Sequence, residues 1–208
     1  MGGQGSGNFD HAGRPGLVGG SGSGGSTTAS EQKQQRLTEK HTRDRQFKET
    51  LIKEADSIRD RDKEFMVVYD KNGKELQRWE GTTDEVGDPE WLADNSLDTI
   101  QLHNHPVSKP GDEDYEPDYP DHANKPPSLQ DFSGLARDGT KALLVASKDY
   151  NFALTRTGPP FTKAQGEKMM DLMEQRLKIS EGHRYPTHAD WQWITTQVKG
   201  FTYSRKEK

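Results

Sequence analysis

Thr99-Ile100-Gln101-Leu102-His103-Asn104-His105-Pro106 is the stretch on which the fold reading turns. Its first four residues alternate as a short strand does. Pro106 ends that strand while holding His105 extended, and the two imidazoles are expected to converge where this regular structure ends. Downstream, Pro126-Pro127 precede a helix start, and Ser128 and Asp131, three apart, share a face of that helix. A helix N-terminus favours the ionised carboxylate that a metal needs. The chain contains no cysteine, so a tight transition-metal site must be made of His and carboxylate ligands. Two imidazoles plus one carboxylate (His103, His105 and Asp131) are a hydrolytic zinc set with a fourth position open for water. Ser128-Leu129-Gln130-Asp131 also reads as a helix capping box. The two roles are compatible, because a capped first turn fixes the direction of the carboxylate.

Working outward, Phe65, Val67 and Tyr69 alternate with Met66 and Val68, which predicts a strand over Glu64–Tyr69 covered on both faces. Asp70-Lys71-Asn72-Gly73 reads as a hairpin turn and Glu75–Glu80 as the returning strand. Asp88 caps a short helix with Pro89 at its first position. Beyond Asp131 the helix runs to Arg137 and stops at Asp138-Gly139. Strands are expected over Lys141–Ser147 and Asn151–Thr155, and Gly158-Pro159-Pro160 is expected to close the sheet region. Thr162 and Gln165 cap a helix bearing Met169, Leu172, Met173 and Leu177, stopped at Gly182. A last helix around Ala189–Val198, with Trp191, Trp193 and Ile194, leads into a basic end.

The combination of an upstream Glu, His103-Asn104-His105-Pro106 and Ser128-Leu129-Gln130-Asp131 resembles the signature of the JAMM (MPN-plus) metallopeptidases. The hairpin Glu64-Phe65-Met66-Val67-Val68-Tyr69-Asp70-Lys71-Asn72-Gly73, followed by Glu80-Gly81-Thr82, is most similar to the RadC branch of that superfamily. The likeness covers about residues 62–157, half the chain. It implies an α/β fold of the JAMM (cytidine-deaminase-like) type, a mixed β-sheet flanked by helices. It also implies a zinc-dependent metallopeptidase or isopeptidase activity. By resemblance, His103, His105 and Asp131 bind Zn2+, Glu64 is the general base, and Ser128 helps hold the oxyanion. Glu75, Glu80 and Glu85 are alternative carboxylates for the base. Two other functions share these residues: a RadC-like DNA-associated protein, and a phage structural or interaction protein with a vestigial metal site.

The sequence departs from the family pattern between the two halves of the site. Residues 107–127 carry six carboxylates and five prolines, which reads as an extended loop. Its ends are pinned to the site, so it is expected either to be solvated and without a role or to form an acidic rim that attracts a basic protein or peptide substrate. His122 within it is expected to face solvent.

The flanks are of a different composition. Residues 1–29 are a flexible Gly/Ser-rich tail, within which Asn8-Phe9-Asp10-His11-Ala12-Gly13-Arg14-Pro15-Gly16 resembles a Gly-rich element of tailed-phage structural proteins. That likeness points to a phage or prophage origin and to phage structural proteins as partners. Residues 30–61 are read as a helix with a solvated N-terminal half, because only its second half carries an apolar stripe (Phe47, Leu51, Ala55, Ile58). Residues 62–182 are the metallohydrolase domain, and 183–208 a helical and basic tail. Of the 208 residues 28% are hydrophobic and 30% charged, which implies one modest core with solvated flanks. A net charge of −5 argues against a dedicated nucleic-acid binder. No apolar run approaches membrane-spanning length, and no secretion signal is read. The expected location is the host cytoplasm or the virion.

Overall fold

In a computed structural model, which describes residues 28–83, 85–112, 115–179 and 185–208, the expected hairpin is present. β1 (Phe65–Tyr69) pairs antiparallel with β2 (Glu75–Glu80). The turn between them is held by Asp70, whose side chain accepts the backbone N–H groups of Asn72 (2.8 Å) and Lys74 (2.9 Å). Gly73 takes φ +85°, a backbone region that L side chains rarely enter. After the short helix α2 (Pro89–Asn95), capped by Asp88 as its sequence predicts, comes β3 (Ile100–Asn104). It pairs antiparallel with β1 and parallel with β4 (Ala142–Ala146). Parallel neighbours need a crossover, and α3 (Leu129–Arg137) supplies it. β5 (Tyr150–Arg156) follows antiparallel.

Gly158-Pro159-Pro160 does not close the sheet. After α4 (Lys163–Ile179) and α5 (His188–Gln197), the chain returns as β6 (Phe201–Glu207) and pairs along the whole of β5. Residues 185–208, read as part of a tail, thus contribute a strand to the sheet and a helix that packs on it. Among the described residues the sheet has six strands in the order β2-β1-β3-β4-β5-β6.

The two faces of the sheet are covered differently. On one, Phe132 and Leu135 of α3, Met169, Met173 and Leu177 of α4, and Trp191 and Ile194 of α5 bury Leu143, Val145, Phe152, Leu154 and Phe201. On the other lie Ala55 and Ile58, from the second half of α1 (Ala29–Ile58), against Leu102 and Ala146. The chain divides into two compact units, 1–41 and 42–208. The described part of the first is exposed helix, opened by a reciprocal cap in which the Thr28 N–H donates to Glu31 (2.7 Å) and the Glu31 N–H to the Thr28 hydroxyl (3.3 Å). The Gly-rich element with His11 lies outside the described residues. Among those described, no helix is long and apolar enough to cross a membrane.

Candidate metal centre

β3 carries His103 inside the strand, with His105 one residue past its end. Side chains two apart along extended backbone share a face of the sheet, so their convergence does not require the strand to break. His103 pairs in register with Val145 of β4, whose side chain lies in the core beneath α3. The strand therefore aims both imidazoles at the start of the crossover helix. α3 begins there because Ser128 caps it. The Ser128 hydroxyl accepts the Asp131 N–H (3.1 Å), and Asp131 Oδ2 accepts the Ser128 N–H (2.7 Å). Trp191, fully buried in the core, donates its indole N–H to the Pro127 carbonyl (3.0 Å) and anchors the residue just before that cap.

The reciprocal cap turns the Asp131 carboxylate back toward the strand. Its Oδ1 lies 3.1 Å from His103 Nε2 and its Oδ2 3.3 Å from His105 Nε2. The two Nε2 atoms are 3.1 Å apart. Burial opposes the charge on Asp131, but the imidazoles of His103 and His105 hold its carboxyl well below the usual carboxylate range. His105 Nδ1–H donates to the Lys125 carbonyl (3.2 Å), which also accepts the Ser147 hydroxyl (2.7 Å). A carbonyl can only accept, so this bond keeps a proton on Nδ1 and leaves Nε2, the nitrogen turned to Asp131, as the atom that a metal would take. Among the described residues, His103 Nδ1 is buried without a hydrogen-bond partner, and the ring faces Asp131 through Nε2 alone. Among the described residues these three side chains are the group placed to share an ion, and they could hold one.

A cleft of about 570 Å³ opens on this group, and His105, Asp131, Ser128, Glu64, Glu85 and Tyr185 are part of its lining. Glu64 immediately precedes β1. Continuing the β1–β3 register from Met66 and His103 places it opposite His105. It is 7% exposed. The other acids of the hairpin sit elsewhere: Glu75 pairs with Arg78 (2.9 Å) and Glu80 with Lys63 (3.2 Å), both on the outer strand. Glu85 reaches the cleft from its exposed rim.

No family model matches this chain, and neither a curated protein nor a solved structure matches it.

The acidic segment is more built than its composition implies. Tyr119 is buried and donates its hydroxyl to the Pro186 carbonyl (3.3 Å). Glu116 accepts the Tyr185 N–H (3.2 Å), and Tyr115 stacks on a half-buried His122 at 4.6 Å. Lys125 is 1% exposed, its ammonium 4.2 Å above the Tyr185 ring, a favourable cation–π contact. Tyr185 in turn sets its ring against His105 at 5.7 Å. Asp112 and Asp121 accept hydrogen bonds from Lys109 and Asn124 within the segment, while Glu113 and Asp114 lie outside the described residues. None of the described residues of 107–127 lines the cleft. The segment reaches the site instead through the Lys125 carbonyl on His105.

Ser128 carries two loads that one substitution separates. Ser128→Ala removes the cap, and an unfolding measurement should register a loss of about 1 kcal/mol. Metal content should stay near the wild-type value, since the backbone N–H that Asp131 accepts is retained. A metal-free Ser128→Ala protein of wild-type stability would contradict this division.

Proposed function

We propose that this chain is a zinc-dependent hydrolase of a peptide or isopeptide bond, built on a JAMM-like domain of phage or prophage origin. The observation that carries the reading is the approach of His103, His105 and Asp131 to within 3.1–3.3 Å of one another beside a cleft that His105, Asp131 and Glu64 line. Ligands about 2.0–2.2 Å from a tetrahedral zinc lie roughly 3.3–3.6 Å apart. The donor set needs to open by only a few tenths of an ångström.

When bound, the zinc would supply Lewis acidity, both to acidify a water and to polarise the scissile carbonyl. The residues of the chain do the rest. Glu64 accepts the proton released as the nucleophile attacks and returns it to the leaving amine. The Ser128 hydroxyl oxygen already accepts the Asp131 N–H, so its own proton is left to donate to the developing oxyanion. The substrate is a protein or peptide. The resemblance of residues 8–16 to phage structural proteins supports the stated origin, with such proteins as partners.

The test is direct. Zinc-loaded protein should cleave members of a panel of peptides and Lys ε-linked isopeptides, lose that activity to a chelator, and regain it with zinc. A metal-replete protein that cleaves no member of the panel would overturn the reading.

A further inference from the structure

We infer that Asn104, the residue between the two imidazole ligands, is a positioning residue for Glu64. The inference rests on the reading of Glu64 as the proton acceptor.

Asn104 is fully buried, and strand alternation turns its side chain to the face opposite His103. The backbone register of β1 on β3 runs from Tyr69 and Ile100 to Met66 and His103. One step further, the Asn104 side chain takes over from the ladder. Its Oδ1 accepts the Phe65 N–H at 2.6 Å, and its Nδ2 donates to the Lys63 carbonyl at 3.1 Å. These two groups belong to the residues on either side of Glu64.

Glu64 itself is tied to the hairpin on its other edge. Its N–H donates to Thr82 (2.7 Å), and its carbonyl accepts the Gly81 N–H (2.9 Å). The backbone at Glu64 is therefore clamped from both sides, which sets the direction of its Cβ. One clamp is carried by the residue that joins the two ligands, so base and ligands share a common support. Asn suits this place because its amide is both donor and acceptor. Ala offers neither, and an ionised Asp offers only the acceptor.

The experiment uses the zinc-loaded 208-residue chain, a quenched-fluorescence peptide with its Lys ε-linked isopeptide counterpart, and residue-resolved amide exchange. Asn104→Ala should keep its zinc and its KM while kcat falls about 10–100-fold, the scale of an ångström-sized misplacement. The Phe65 amide should exchange faster while Val67 stays protected. Asn104→Asp keeps the acceptor for Phe65, so its protection should remain and kcat should fall less. In the double variant Asn104→Ala/Glu64→Gln, turnover should be no slower than in Glu64→Gln alone, because Asn104 acts through Glu64.

Unchanged Phe65 protection in Asn104→Ala overturns the proposal, as does a loss of turnover that adds in full to that of Glu64→Gln. If Asn104→Ala does not fold, the same double-variant comparison is read on Asn104→Asp, where full additivity again overturns it. If wild-type protein with bound zinc cleaves neither probe, the hydrolase reading is what fails. Exchange at Phe65 then decides by itself whether Asn104 clamps the Glu64 segment: faster exchange supports the clamp, and unchanged exchange overturns it.

Discussion

His105→Ala protein should hold no more than about a tenth of the zinc that wild-type protein holds at equal exposure, since losing an outer partner of a ligand already costs about 10–100-fold in affinity. His103→Ala should behave alike, because both imidazoles approach the same carboxylate, at 3.1 and 3.3 Å. Asp131 calls for a different substitution. Ala there would also remove the acceptor for the Ser128 N–H, and a weakened helix start would be mistaken for a metal effect. Asp131→Asn keeps an acceptor for that N–H but withdraws the charge that draws a cation. Elemental analysis gives the stoichiometry. Thermal unfolding with and without added zinc gives an independent answer, because an ion that binds the folded state alone raises its stability, by about 4 kcal/mol at a thousandfold excess over Kd. Wild-type protein should show such a rise and the three variants should not. A His103→Ala/His105→Ala protein that still carries one zinc per chain would place the ion elsewhere.

Much of this centre was legible because its determinants are local. Asp70-Lys71-Asn72-Gly73 has to turn, since Asp70 caps its own loop and Gly73 occupies a left-handed conformation. Ser128 and Asp131, three residues apart, form the cap that the spacing predicts. The meeting of the two imidazoles was expected for the wrong reason, the end of the strand, whereas residues two apart on extended backbone already share a face. What escaped depends on partners distant in sequence. β6 carries Thr202, Ser204, Arg205 and Lys206 and looks like a soluble tail until β5, some fifty residues earlier, supplies its hydrogen bonds. The acidic segment has the composition of a solvated loop, yet Tyr119, Lys125 and Glu116 are held by Tyr185 and Pro186, which no local window contains. Asn104 lies between the two imidazoles, and strand alternation turns it to the other face, but the sequence carries no sign that its amide meets the backbone on either side of Glu64.

Glu64→Gln separates proton transfer from metal binding. Gln preserves the volume and hydrogen-bonding reach of a side chain that is only 7% exposed, so folding and zinc content should match wild type. It cannot take up a proton, and positioned acid–base groups contribute typically about 10²–10⁴-fold. A fall in kcat on that scale, with KM little changed, is the expected outcome. The control is Glu85→Gln, the other upstream acid that reaches the cleft. Its exposed position on the rim leaves it solvated, and its loss should leave kcat far above that of Glu64→Gln. Glu75→Gln and Glu80→Gln lose their Arg78 and Lys63 pairings and should leave kcat alone. If Glu85→Gln abolishes turnover while Glu64→Gln does not, the acceptor is the rim acid and the clamp around Glu64 serves the fold alone. If both variants keep full activity with zinc bound, the attacking group is activated without either carboxylate, and the assignment of Glu64 falls while the metal centre stands.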